Sequence, residues 1–315
     1  MENGQKLYYS YSEYLKKKYG EKVYKLPVNL PVSCPNREHA GGGCSFCAPC
    51  GTGFEAMDSR FLVSQQLSEN RKRIENKYNA HKFIAYFQNY TNTFLPVPQF
   101  RSYMEEAAKA PDIVEIAVST RPDCISGKYL DVLERIRRGR DIQITVELGL
   151  QTANYHTLIS INRGHTLAEF IDSVLAIRRY GFEVCAHVIL NLPGDDILDA
   201  VETAKILSSL GVQVVKVHSL YIARNTRLCD AYENGTITVC SKEEYFRRAA
   251  AFLEHLDPSI AVERLFGRAP KDEVVFCNWG TSWWKLREEL EERMRSQGQF
   301  QGRCFHYLGG AALKF

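Results

Sequence analysis

The chain has 315 residues, of which 45% are hydrophobic, 24% charged and 11% aromatic, fractions that exclude a disordered, collagen-like or low-complexity protein. Forty Lys and Arg against 37 Asp and Glu leave a formal charge of +3, too small to mark a nucleic-acid binder by bulk charge. Ten cysteines are too sparse for a disulfide scaffold, yet four of them fall between Cys34 and Cys50, and in a reducing cytosol such crowding reads as metal or redox chemistry.

The first residues show no apolar run with a small-residue cleavage site, as a secretory signal requires. No stretch approaches the ~18 apolar residues of a membrane span. A soluble cytoplasmic protein is therefore expected. Short runs rich in Val and Ile predict strands at 22–30, 83–87, 113–119, 142–148, 184–190, 214–220 and 260–265, largely apolar as parallel strands covered on both faces are. Helical patterns lie between them at 59–76, 98–110, 126–138, 166–180, 196–210 and 242–256, with Gly139, Gly181 and Gly211 each just after a helix. Intervals of roughly thirty to forty residues between strands are those of βαβ units with right-handed crossovers. A partial barrel and an open doubly wound sheet both satisfy the pattern, but no GxGxxG opens a helix after the first strand and no P-loop is present.

The ends differ from the middle. Lys16-Lys17-Lys18 reads as a solvated helix face, with tRNA contact as the alternative. Near the C-terminus Trp283, Leu286, Leu290 and Met294 share one helical stripe, as for a helix packed on the core, and Glu291 can pair with Arg295. Arg293, Arg295 and Arg303 are the candidates there for phosphate contact.

Directly after the first strand comes Cys34-Pro-Asn-Arg-Glu-His-Ala-Gly-Gly-Gly-Cys44-Ser-Phe-Cys47-Ala-Pro-Cys50. Glycines 41 to 43 permit positive φ and a loop folded back on itself. Three readings fit the spacing alone: three thiolates holding a cubane cluster with one iron open, a zinc site with Cys34 as fourth ligand, or a ferredoxin-type electron-transfer cluster. The loop opens the first βα unit of a large domain, and catalytic groups of barrels sit at the carboxyl ends of strands.

Cys34-x₉-Cys44-x₂-Cys47, with Phe46 before the last cysteine, resembles the radical S-adenosylmethionine (SAM) superfamily, in the branch of the Elongator catalytic subunit and the YhcC/YtqA-like proteins. Further segments resemble that branch in order: Ser119-Thr120-Arg121-Pro122-Asp123, Glu147-Leu148-Gly149-Leu150-Gln151-Thr152, Asn162-Arg163-Gly164-His165-Thr166, and His187-Val-Ile-Leu-Asn191-Leu-Pro193-Gly194-Asp195. The likeness runs from about residue 8 to residue 270.

The resemblance implies an α/β fold, a partial (β/α)6 TIM-type barrel, with an N-terminal segment 1–20, a core 21–270 carrying the cluster loop 34–50, and a C-terminal helical extension 271–315. It implies a 4Fe-4S cluster on Cys34, Cys44 and Cys47, and SAM cleaved to a 5′-deoxyadenosyl radical that abstracts hydrogen from a substrate. The cofactor carries that chemistry and the protein positions it. Phe46, Gln88, Asn92, Thr120, Arg121, Glu147, Gln151, Arg163 and His187 are the implied cofactor contacts. Phe46 would lie beside the adenine and Arg163 suits a carboxylate. Carbonyls of Gln88 or Asn92 would stand in for the missing GGE segment, and His187 occupies a ribose-binding position. Asn191 replaces a glycine of the family pattern.

Structural readings stand beside these. Glu147 is a candidate for a buried pair with Arg121 or Arg163, and His187 and His218 for hydrogen-bonded core residues. Cys124, Cys185, Cys229, Cys240, Cys277 and Cys304 read as small core residues or free thiols, and Cys50 as a spare neighbour of the cluster. The implied substrate is tRNA at a wobble-uridine side chain, with Lys16–Lys18, Arg37, Arg71, Arg73, Arg137, Arg138 and Arg140 available to phosphates. With no acetyltransferase segment in the 315 residues, carboxymethylation from acetyl-CoA is not expected. An external one-electron reductant of the flavodoxin or ferredoxin type is implied, and no membrane. A small metabolite as substrate, or a non-enzymatic iron–sulfur or zinc protein, are the competing readings.

Overall fold

A computed structural model describes residues 6–39, 42–48 and 56–313; Gly41 and Cys50, with the expectation attached to each, lie outside them. In chain order come α1 (Tyr11–Tyr19), β1 (Val23–Val28), α2 (Pro35–Glu38), α3 (Val63–Tyr78), β2 (Lys82–Phe87), α4 (Val97–Lys109), β3 (Ile113–Thr120), α5 (Gly127–Arg140) and β4 (Gln143–Gln151). Then follow α6 (Tyr155–Ser160), α7 (Leu167–Arg179), β5 (Glu183–Ile189), α8 (Ile197–Leu210), β6 (Val214–His218), β7 (Tyr221–Ala223) and α9 (Arg227–Glu233). The chain closes with α10 (Lys242–His255), β8 (Ala261–Arg264), β9 (Val274–Cys277) and α11 (Trp283–Ser296).

Seven strands take the order β1-β2-β3-β4-β5-β6-β8 in one sheet, and β7 pairs antiparallel with β9. Those seven are the seven predicted strands, and the six predicted helices are all present. The β7–β9 ribbon and helices α2, α6 and α9 run three to seven residues, too short to print a periodicity on the sequence.

The chain divides into two compact units, one of residues 12–149 with 162–185, the other of 1–11, 150–161 and 186–315. In the first, β1 to β4 lie side by side and parallel. Val23–Val28 matches Lys82–Phe87 without a slip, so the loops after each strand emerge at one end of the unit. Val63 and Leu67 of α3, Phe100 and Met104 of α4, and Leu130 and Leu133 of α5 are buried, the inward stripes of three amphipathic helices. Gly139 does not follow a helix as expected: α5 runs through it to Arg140, and Asp141 takes the left-handed terminal position at φ +52°. Arg137, Arg138 and Arg140 in that last turn favour its continuation, since cations suit a helix C-terminus.

The lysine run is also corrected. Lys16 and Lys17 are exposed, but Lys18 lies one turn after buried Leu15 on the same helix face. Its Nζ reaches Glu115 Oε2 at 3.0 Å and Glu183 Oε2 at 2.7 Å, while the Tyr19 hydroxyl donates to Glu115 at 2.5 Å. This places α1 at the amino ends of β3 and β5.

In the second unit β6 and β8 are parallel, Val214 facing Ala261, and Val262 N–H donates to Tyr9 O. Leu286, Leu290 and Met294 of α11 are each 0% exposed, the core stripe read from the sequence. Trp283 instead sits half-exposed under the Arg268 guanidinium, 3.8 Å from its ring centre. Glu291 meets Arg295 at 3.3 Å and also accepts from the Tyr8 hydroxyl. Cys185 and Cys229 are buried, and Cys124, Cys240, Cys277 and Cys304 half-buried, all as free thiols. No helix among the described residues is long and apolar enough to cross a membrane.

Candidate iron–sulfur and SAM site

Cys34 stands immediately before α2, where Pro35 takes the first helical position, a place suited to its fixed φ and missing N–H. The Arg37 and Glu38 amides both donate to Cys34 O. The chain then reverses through Gly42 at φ +61° and Gly43 at φ +84°, conformations that glycine adopts without a Cβ penalty. Gly43 N–H donates to Asn36 O at 2.7 Å, and Cys47 N–H to Cys44 O at 3.1 Å. Cys34, Cys44 and Cys47 are thus held by one short loop at the carboxyl end of β1, all as free thiols, with Cys44 buried and the others half-buried.

The segment 162–165 braces that loop. Asn36 Nδ2 donates to Asn162 O at 2.7 Å, and Asn162 Nδ2 returns to Gly43 O at 2.8 Å. Gly164, at φ +74°, is required between them: a Cβ there would lie 2.6 Å from Asn36 Oδ1 and 3.1 Å from Arg121 Nη2. Arg163, 7% exposed, places Nη1 3.5 Å from Cys44 Sγ and Nη2 2.9 Å from Gly149 O. Its Nε finds no partner among the described residues. Asn36 Nδ2 also lies 3.5 Å from Cys44 Sγ, and Arg37 Nη2 lies 3.7 Å from Cys47 Sγ and 3.0 Å from Cys47 O.

Arg121, just after β3, holds this frame. Its fork closes on Asp123 at 2.9 and 2.8 Å, and its Nη1 donates to Arg163 O at 2.8 Å. Burial opposes its charge, yet the hydrogen bonds and charge of Asp123 hold the guanidinium above its ordinary pKa. Burial and the neighbouring Cys44 push the Cys47 thiol up, with Arg37 pulling the other way. Burial and Asp123 push Cys124 up to about 12. His165 is driven down to about 2, first by burial and then by Arg163. It stays neutral, between Gly149 O at 3.0 Å and Thr166 O at 3.2 Å.

The loop after β2 contributes Asn92, whose amide nitrogen donates to Phe87 O, Asn89 O and Ser119 O at 3.0, 3.2 and 2.8 Å. Its Oδ1 is buried without a partner among the described residues, as is Ser119 Oγ. Thr120 Oγ1 meets Thr93 Oγ1 at 2.6 Å. Gln88, half-buried, extends β2 as its backbone N–H donates to Val28 O, and Phe46 is half-buried between Cys44 and Cys47 in the chain. Glu147 pairs with neither Arg121 nor Arg163. It pairs with Lys25, at 2.6 Å, itself 4.6 Å from the Tyr86 ring centre. The two arginines are engaged by Asp123 and by Cys44 with Gly149, above the level of Glu147 on β4.

In the second unit Gln151 takes φ +76°, a left-handed conformation that a non-glycine residue adopts at a cost and that clusters at functional sites. His187 and His218 are a stacked pair, ring centres 5.5 Å apart at 29°. Asn191 Oδ1 accepts from Leu220 N–H at 2.6 Å, tying the turn after β5 to the segment after β6. Burial pushes Asp195 up to about 6, against hydrogen bonds from Thr157 and Thr152. Sequence reasoning did not single out Asn36, Asp123, Gly164 or His165. All four stand inside the quoted motifs, which were the available signal.

Comparison with known proteins gives the family. The family model of the radical SAM superfamily matches residues 28–207, and that of the radical SAM C-terminal domain matches residues 212–296. The chain is 32% identical to YtqA of Bacillus subtilis over 308 residues, 97% of this chain and 95% of YtqA. It is also 32% identical to YhcC of Escherichia coli K12 over 296 residues, 93% of this chain and 94% of YhcC. A tRNA uridine(34) acetyltransferase of Methanocaldococcus jannaschii is 26% identical over 151 residues, 45% of this chain and 27% of that protein. Among solved structures, archaeal Elp3 from Methanocaldococcus infernus superposes with a TM-score of 0.68 at 16% identity, covering 89% of this chain and 64% of that one. That likeness shows the fold, an α/β partial TIM-type barrel. Matched by the superfamily model over more than half its length, the chain belongs to the radical SAM superfamily, enzymes that use a 4Fe-4S cluster and SAM, in the branch of the YtqA- and YhcC-like proteins and the Elongator catalytic subunit.

Proposed function

We propose that Cys34, Cys44 and Cys47 hold the cluster and that the residues around them bind SAM for modification of a uridine side chain in tRNA. The observation that carries this reading is the site's donor set: three free thiols in one braced loop, with Arg163 Nε and Asn92 Oδ1 buried and unpartnered among the described residues. Three thiolates leave one iron of a cubane without a protein ligand, and a buried guanidinium N–H and a buried amide carbonyl suit a carboxylate and an ammonium. When bound, the cluster and SAM would supply one-electron chemistry that ends in removal of a hydrogen atom from the substrate.

The chain's own residues then orient and shield. Arg163 presents Nε to the carboxylate while Gly149 O fixes its far side; Asn92 turns Oδ1 to the ammonium because three carbonyls hold its nitrogen. Phe46 and Gln88 flank the adenine and the amino-acid end. Gln151, Thr120 and His187 complete the cofactor contacts, Arg121 positions Arg163, and Glu147 with Lys25 lies beneath. The core spans 21–270, between the segments 1–20 and 271–315. A flavodoxin- or ferredoxin-type protein delivers the electron, in the cytoplasm.

Support for tRNA comes from the M. jannaschii relative named for tRNA uridine 34. Nucleoside mass spectrometry of tRNA from a strain lacking the gene tests it. Loss of one modified uridine, with build-up of its precursor, is expected. An unchanged nucleoside profile sinks the tRNA substrate and directs the chemistry to a small metabolite.

A further inference from the structure

The three cysteines are not alike in their surroundings. Cys44 Sγ has two donors near it, Asn36 Nδ2 at 3.5 Å and Arg163 Nη1 at 3.5 Å. Among the described residues Cys47 Sγ has one, Arg37 Nη2 at 3.7 Å. Among the described residues no hydrogen-bond donor reaches Cys34 Sγ. Each donor is fixed from its other side: Asn36 by Asn162 O, Arg163 by Gly149 O, and Arg37 by Cys47 O. These bonds hold each donor on the side away from its sulfur.

Sulfur hydrogen bonds are among the levers that set the potential of an iron–sulfur cluster. A cubane at the 2+ level takes up one electron to reach 1+, and that electron adds negative charge to the sulfurs. Donors aimed at those sulfurs stabilise the reduced level more than the oxidised one. We propose that Asn36, Arg37 and Arg163 are positioning residues that raise the cluster's reduction potential through Cys44 and Cys47, with Cys44 the more strongly affected thiolate. The inference rests on the cluster assignment above and deepens it.

The experiment is an anaerobic redox titration of the reconstituted full-length protein without SAM, with dithionite as reductant and the 1+ signal read by electron paramagnetic resonance. Arg163→Gln is expected to lower the reduced-to-oxidised ratio at fixed potential about tenfold, equivalent to 59 mV for one electron. Arg163→Lys, which keeps a cation, recovers most of it. Asn36→Ala shifts the ratio in the same direction, and Arg37→Gln less. Arg60→Gln, a control on an exposed residue paired with Asp58, leaves it at the wild-type value. Variants that hold wild-type iron but titrate as wild type overturn the proposal. So does loss of iron in all three donor positions, since the donors would then hold the loop and not load the sulfurs. A wild-type protein with no cubane signal fails the cluster assignment itself, a distinguishable result.

Discussion

The two ends of the first unit solve the problem of buried charge in opposite ways. At the amino ends of the strands Lys18 meets Glu115 and Glu183, Tyr19 adds a hydrogen bond to Glu115, and Thr145 reaches Glu183 at 3.4 Å. At the carboxyl ends Arg163 Nε, Asn92 Oδ1, Asn89 Oδ1, Ser119 Oγ and Ser45 Oγ are buried with no partner among the described residues. An unpartnered buried polar group costs about 1–3 kcal/mol, so the second set, unlike the first, holds groups whose cost a ligand would remove.

The largest effect is expected at the thiols. Cys34→Ala, Cys44→Ala or Cys47→Ala is expected to abolish iron binding after anaerobic reconstitution while circular dichroism stays as in the wild type. Iron retained at wild-type content in any of the three removes that cysteine from the site. At the other end Lys18→Met leaves Glu115 buried beside Glu183 without its cation. The expected loss is about 2–4 kcal/mol by urea denaturation, toward the lower side of the range for a broken buried pair, because Lys18 and Glu183 keep 16% and 22% exposure. Iron content should not change; if it falls with stability intact, the two ends are not separate.

Gly164→Ala puts a Cβ 2.6 Å from Asn36 Oδ1 at a positive φ, so the brace must shift. We expect about 1–3 kcal/mol of destabilisation together with faster loss of iron to a chelator. Normal retention would show that the brace does not hold the loop.

His165 gives the most graded effect. Its folded-state pKa is depressed from 6.5 to about 2, so the unfolded chain binds the proton first. Stability is complete above pH 6.5 and falls as the pH drops toward 2, by about 1.4 kcal/mol per pH unit. Urea midpoints at pH 7 and pH 5 should therefore converge in His165→Gln relative to the wild type. Equal pH dependence in both proteins would mean that His165 does not carry the effect.

How much was legible in the sequence follows from the range of each interaction. The seven main strands showed as short Val- and Ile-rich runs, and the α11 stripe of Leu286, Leu290 and Met294 as a helical period, because burial of one face is a local pattern. The cysteine spacing was legible for the same reason. Lys18 was not, since a charge run says nothing of which lysine faces the core. Nor was the Lys25–Glu147 pair, whose partners stand 122 residues apart, or the Asn36–Asn162 bond across 126. Such contacts exist only once parallel strands have brought their ends together, and many residues of the right type compete for each in the unfolded chain. The motif Asn162-Arg163-Gly164-His165 drew attention to the segment, but its use as a brace of the cysteine loop is a tertiary fact.

The central claim is that this loop holds a cluster able to open SAM. Its most direct test is anaerobic reconstitution with iron and sulfide, followed by dithionite and SAM, with the products separated by liquid chromatography. The expected result is 5′-deoxyadenosine from the wild-type protein and none from Cys47→Ala. A protein that takes up zinc instead, or a cluster that leaves SAM intact, would contradict it.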